Sequence, residues 1–145
     1  MKPMDSAKMA ERHLPPEVLE RASLRGNEYA WPAADIPLVI EAVRLSNLVN
    51  IGGQLQFRFP DGATCECYWV EVDMYKTVPE SLPWAERVVQ SATVALRDFE
   101  AISSKYDFFE EGRQNFSPAF KEVEVYGYDA HQAMCFVWYA AEPWI

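Results

Sequence analysis

The sequence predicts an α+β fold: an antiparallel sheet built from two β-hairpins, with helices packed mainly on one face. Three observations carry this. QLQFRF, residues 54–59, alternates polar and apolar residues, breaks at Pro60-Asp61-Gly62 and then resumes alternating. Residues 81–106 repeat Ala85, Val88, Val89, Ala92, Ala95, Leu96, Phe99 and Ile102 at helical spacing. The last part of the chain holds two more strand-like runs, FKEVEVYGY and AMCFVWYAA, joined around DAHQ. A chain of 145 residues, half of them apolar and 14% aromatic, fits one domain with a substantial core.

In chain order, residues 1–12 read as a loose polar tail. LPPEVLERASLRGN then reads as a short helix. Pro15 and Pro16 suit its first turn, Glu17 its positive end, and Gly26 a left-handed C-cap. NEYAWPAAD forms a bend, and Asp35 and Pro37 open a second helix with Ile36, Val39, Ile40 and Val43 on one face. NIGG ends the helical region and opens the first strand of a hairpin. At its turn Pro60 presets φ, Asp61 fits the next position, and Gly62 can adopt the left-handed conformation. Ser81 and Pro83 start the long helix. A short acidic element, DFFEEGRQNF, follows it and ends near Pro118.

The turn sets a register: Phe59 faces Ala63, Phe57 faces Cys65, Leu55 faces Cys67 and Gly53 faces Trp69. One hairpin face is then Leu55, Phe57, Phe59, Ala63, Cys65, Cys67 and Trp69. The other is Gln54, Gln56, Arg58, Thr64, Glu66 and Tyr68. Both thiols point into the core, where free cysteine behaves as a small hydrophobe. A zinc set of Cys65, Cys67, Cys135 and His131 is the competing reading, although Cys-x-Cys is not the usual Cys-x-x-Cys knuckle. A cysteine nucleophile with His13 or His131 as base is another. Asp129 beside His131 can orient an imidazole, and the same pair serves an ordinary turn. No nucleotide fingerprint, nucleophile elbow, zinc-protease helix or calcium loop is present, so no cofactor is expected.

The net charge is −9. Such acidity repels phosphate backbones and so argues against nucleic acid as a partner, while it attracts a basic protein. The N-terminal stretch has no apolar signal core, and no run of 18 or more apolar residues appears. With three cysteines, an odd number in no disulfide pattern, this points to a cytoplasmic protein away from membranes. If both hairpins share one sheet, its second face gathers Glu66, Tyr68, Glu122, Glu124, Tyr126 and Tyr128. Tyrosine among acidic neighbours is a composition that interfaces use, and β-propensity alone also places Tyr on solvated sheet faces. Val70 and Val72 fall on this same face and imply that part of it is covered. Tyr29, Trp31, Trp84, Trp138 and Trp144 form a second aromatic group, suited to sealing the edge of a small core.

The stretch NEYAWPAADIPLVIEAVRLSNLVNIGGQLQFRFPDG resembles small uncharacterised bacterial proteins that share a Trp-Pro, an amphipathic helix and Gly-Gly-Gln before an alternating strand. In size, acidity and α+β make-up the chain is also similar to immunity proteins that neutralise bacterial toxins. That likeness is one of type and brings no functional residues with it. The expectation is a non-catalytic acidic binding protein, with an enzyme or small-molecule binder using the thiols and His131, or a subunit of a homo-oligomer, as the alternatives.

Overall fold

A computed structural model describes residues 9–75 and 77–143. Five strands form one antiparallel sheet: β1 (Ser23–Arg25), β2 (Glu28–Trp31), β3 (Val49–Arg58), β4 (Thr64–Asp73) and β5 (Met134–Ala141), in the order β1-β2-β5-β3-β4. Two hairpins, β1–β2 and β3–β4, flank the central strand β5. The helices are α1 (Pro16–Leu19), α2 (Ile36–Leu45), α3 (Trp84–Lys105), α4 (Phe108–Asn115) and α5 (Ser117–Glu124). Among the described residues no helix is long and apolar enough to cross a membrane.

The α+β architecture matches the expectation, and one of its hairpins lies elsewhere in the chain. LPPEVLERASLRGN is helical only over Pro16–Leu19, and then enters β1. Arg25 pairs with Glu28 across the two-residue loop Gly26-Asn27, with Gly26 at φ +60°. Positive φ at the first loop residue is what a tight II′ hairpin requires, so this glycine turns a hairpin rather than capping a helix. In the other direction, FKEVEVYGY is not a strand. Pro118 sits in the first turn of α5, and Phe120 and Val123, three residues apart, are buried on one side of it. The alternation of Val123 and Val125 imitates a strand, but Val125 is exposed.

The tail expected over residues 1–12 lies outside the described residues as far as residue 8. Residues 9–12 are packed: Met9, Ala10 and Glu11 are buried, and Glu11 Oε2 accepts from the Ala140 N–H at 3.2 Å. This places a carboxylate on the stretch of β5 that lies past the end of its pairing with β2.

The helices cover the sheet face that carries Leu55, Phe57, Phe59, Phe136 and Trp138, all fully buried. Phe57 and Phe59 meet Phe120 edge-on, and Phe136 meets Phe99 and Phe108. Gly112 brings α4 against the Phe57 ring, where a Cβ would lie only 2.1 Å from Cε1. In α2 the expected Ile36, Val39, Ile40 and Val43 are all buried. The buried stripe of α3 is turned relative to expectation. It takes in Ser91 and Val94, while Val89 and Leu96 are exposed. Ser91 Oγ accepts the Asn50 N–H at 2.9 Å, which accounts for a polar residue inside. Trp31 and Trp138 are core residues and Trp84 is half-buried at the start of α3; Trp144 lies outside the described residues.

Candidate functional site

The β3–β4 hairpin positions four of the candidate side chains, Cys65, Glu66, Cys67 and Tyr68. Its register is the expected one from the turn inward: Phe59 N–H donates to Ala63 O at 2.9 Å, Phe57 pairs with Cys65, and Leu55 with Cys67. Gly62 has φ +95°. Beyond Cys67 the register breaks. Leu55 pairs with Cys67, whereas the preceding residue Gln54 pairs with Glu71, so residues 68–70 form a bulge. Gly53 therefore faces Val72 rather than Trp69. The bulge turns Val70 and Val72 into the core and leaves Tyr68 and Trp69 exposed, at 62% and 39%. This corrects the inward placement of Trp69 and explains why Val70 and Val72 appeared out of phase.

The sheet separates the thiols. Cys65 and Cys67 lie on the helix-covered face. Cys135 pairs with Gln56 on the other face, and its Sγ donates to Gln56 O at 3.3 Å. His131 stacks on Phe109 with ring centroids 3.7 Å apart, and its Nδ1 lies 2.9 Å from Asp129 Oδ1. That aspartate also accepts the His131 N–H, so the pair caps a turn. Hydrogen bonds from His131 hold the Asp129 carboxyl below the usual range. His13 contacts Glu142 instead. Among the described residues no three His, Cys, Asp or Glu side chains are placed to hold a metal ion. Burial pushes the Cys67 thiol up to about 12 and Cys135 up to about 11, and raises Cys65 as well. A nucleophilic cysteine needs the opposite shift. Iodoacetamide at pH 8 is therefore expected to leave the three buried thiols of the folded protein unmodified and to label all of them in urea. Mass spectrometry reads the adducts, and rapid labelling of any one thiol in the folded state would contradict the assignment.

The six residues expected on one sheet face occupy four settings. Glu66 lies on the open sheet face and its Oε1 accepts from Gln56 Nε2 at 3.2 Å. Tyr68 sits in the bulge. Glu122 and Glu124 are on α5, where Arg113 donates to both Glu124 oxygens at 2.8 and 2.9 Å. Tyr126 is exposed in the turn after α5, and Tyr128 packs half-buried against Phe59, where burial raises its phenol. They do not share a face, because the segment that carries four of them is helix and turn. Glu66, Glu124 and Tyr128 already have partners within the chain, whereas Tyr68, Glu122 and Tyr126 point outward.

The bulge builds a different grouping. Trp69 Nε1 donates to Glu111 Oε1 at 3.2 Å, its ring stacks on Phe116 at 6.3 Å, and Tyr68 meets it edge-on at 5.8 Å. Asp107 caps α4 by accepting the Glu110 N–H, which puts Glu110 and Glu111 in the first helical turn where negative charge is favourable. Glu71 and Asp73 are exposed further along β4. An aromatic corner thus stands at the edge strand, with Glu111 bonded to it and Glu110 in the same helical turn. The out-of-phase valines were the signal for this corner, but Glu111 and Phe116 join it only through the packing of α4 and α5. In comparisons with family models, curated proteins and solved structures, nothing matches the chain.

Proposed function

We propose that the protein is a non-catalytic binding protein that takes a basic protein partner on the corner formed by the β4 bulge and the α4–α5 junction, and that a toxin-neutralising immunity protein is its concrete form. The observation that carries the reading is the exposed pair Tyr68 and Trp69, with Trp69 held by Glu111 and Phe116, Glu110 in the same helical turn as Glu111, and exposed Glu71 and Asp73 further along β4. Large aromatics at the centre with charge around them is the make-up of interface hot spots. Because Trp69 is stacked and hydrogen-bonded before any partner arrives, little side-chain entropy is lost on binding. Glu122 and Tyr126, exposed along and beyond α5, extend the surface. The net charge of −9 would steer a basic partner in, an effect that weakens with salt.

Among the described residues β4 pairs only with β3, which leaves its outer edge to a second copy of the chain or to a partner strand. The bulge and the flanking acidic residues blunt that edge, as native sheets do to prevent strand addition. Recognition through side chains is favoured for this reason. Partner capture from native host extract, followed by titration of the purified pair, tests the proposal. Trp69→Ala is expected to weaken affinity roughly 30-fold or more, the scale of a hot-spot residue worth about 2 kcal/mol. Glu71→Lys with Glu110→Lys is expected to slow association at low salt. Unchanged affinity and association rate in both variants would remove the corner from consideration, and a dimer in light scattering that Trp69→Ala dissolves would replace the partner by a second copy.

A further inference from the structure

The open face of the sheet holds an arrangement of charge that the partner surface does not use. Arg58 projects from β3 beside Cys135 and reaches the main chain of β1 and β2. Its Nε donates to Gln56 Oε1 at 2.6 Å, and its terminal nitrogens donate to Ser23 O at 2.8 Å, Ser23 Oγ at 3.0 Å and Glu28 O at 3.0 Å. Arg25 on β1 reaches the β3–β4 turn and donates to Ala63 O, Thr64 Oγ1 and Phe59 O. These contacts between opposite ends of the strand order show that the sheet is curled, with this face on the inside. Every one of the acceptors is neutral.

That pattern sets the two side chains apart from the chain's other arginines. Arg12, Arg21, Arg44, Arg97 and Arg113 each have a carboxylate partner, and Arg87 lies over the Trp84 ring. Among the described residues no carboxylate lies within ion-pair distance of Arg25 or Arg58, although Arg58 is only 7% exposed. The carboxylates around this face are engaged elsewhere. Glu28 accepts from the Tyr139 hydroxyl, Glu66 from Gln56, and Asp35 from Arg21. A guanidinium keeps its charge even when buried, and a buried cation without a contacting anion is costly. Burial, the largest influence, and the nearby Arg25 act against the charged form of Arg58, and Cys135 and the Glu28 carboxylate favour it without touching the guanidinium. Neutral hydrogen bonds could be made by a neutral side chain, so the positive charge is left without a contacting counter-ion.

Between these groups lies a cavity of about 270 Å³, lined by Arg21, Arg25, Arg58, Ser23, Gln132 and Cys135 among others. Pockets for drug-sized ligands run to about 300–1,000 Å³, so the occupant is small. We propose that this cavity binds a small oxyanion-bearing molecule, a carboxylate or a phosphate, between the guanidiniums of Arg25 and Arg58, with Arg21 at the rim. The four bonds of Arg58 described above leave one of its five N–H donors for such a ligand. A charge-assisted N–H donor suits both kinds of oxyanion, and Ser23 and Gln132 add neutral polar groups. The bound anion would offset the two cations without drawing on the partner surface.

The test uses the full chain, titrated with sodium phosphate or sodium succinate at ionic strength held constant by sodium chloride. Thermal unfolding and the arginine Nε–H signals in proton–nitrogen correlation spectra are followed together. One of the two anions is expected to raise Tm saturably, by roughly 5–10 °C at a hundredfold excess over Kd, and to shift the signals of Arg25 and Arg58. A response to phosphate alone assigns a phosphoryl ligand, and a response to succinate alone a carboxylate. Arg25→Gln is expected to abolish saturation. If that variant does not fold, Arg21→Gln at the rim is expected to weaken the anion several-fold. A Tm that follows ionic strength alone, or saturation unchanged in both variants, would overturn the site.

Discussion

Gly53→Ala is expected to abolish stable folding. Gly53 lies in β3, opposite Trp138 of the central strand β5 and Val72 of β4. A Cβ built there would lie 1.7 Å from the Val137 carbonyl oxygen, 2.8 Å from its carbon and 2.9 Å from Trp138 Cε3. The first two are backbone atoms in the middle of the sheet, so no rotamer change relieves the overlap. Relief requires β3 and β5 to separate at the pairs Gly53–Trp138 and Gln54–Val137, which breaks the ladder that joins the two hairpins. Substitutions that break buried packing in this way cost more than about 4 kcal/mol, against a total stability of about 5–15 kcal/mol. The control is Gly62→Ala. Gly62 has φ +95° but nothing within 4 Å of a built Cβ, so its cost is confined to backbone strain, about 1 kcal/mol. Urea unfolding followed by far-UV circular dichroism separates the two: Gly62→Ala should lower the midpoint modestly, and Gly53→Ala should give no cooperative transition. A normal transition in Gly53→Ala would mean that the strands do not approach as described.

That glycine shows where the sequence is legible and where it stops. Gly-Gly before an alternating run is visible as a strand opening, but the reason for it is a carbonyl contributed more than eighty residues later. The Phe57–Cys65 and Leu55–Cys67 pairs are legible because turn chemistry at Pro60 to Gly62 fixes local register, and alternation carries it inward. Legibility ends at Cys67, where a bulge reverses the phase of the strand. The reversal left a trace, since Val70 and Val72 alternate on the wrong side for a continuous strand. The alternation of Glu122, Glu124, Tyr126 and Tyr128 reads as a sheet face, but the first two lie in α5 and the last two after its end, and Pro118 with Phe120 and Val123 is the stronger local signal. The Gly-Asn loop of the first hairpin carried its own turn signal, but flanking strands of only three and four residues offer too little alternation to stand out. The arginine-lined cavity was out of reach for another reason. Arg21, Arg25, Arg58 and Cys135 converge only because the sheet curls, and nothing local in the sequence specifies curl.

The second large effect is expected at Asn50, the polar centre of the core. Asn50 is fully buried in β3 and joins three elements through its side chain and main chain. Its Oδ1 accepts from Trp138 Nε1 on β5 at 2.8 Å, its Nδ2 donates to Ile40 O on α2 at 3.3 Å, and its N–H donates to Ser91 Oγ on α3 at 2.9 Å. Asn50→Ala keeps the main-chain bond to Ser91 and removes the other two. It strands the Trp138 indole N–H in a region without exposed surface, at a cost of about 1–3 kcal/mol, while the Ile40 carbonyl, inside α2, keeps its intrahelical partner. With the small void left by the amide, the loss is expected to reach about 2–4 kcal/mol. Trp138→Phe removes the indole donor from the same bond and provides the second arm of a double-mutant cycle. If the bond is made as described, the double variant should lose clearly less than the sum of the two single losses, because the second change no longer strands a partner. Additive losses would show that Trp138 and Asn50 are not coupled, and the packing of β5 against α2 and α3 would then need another account.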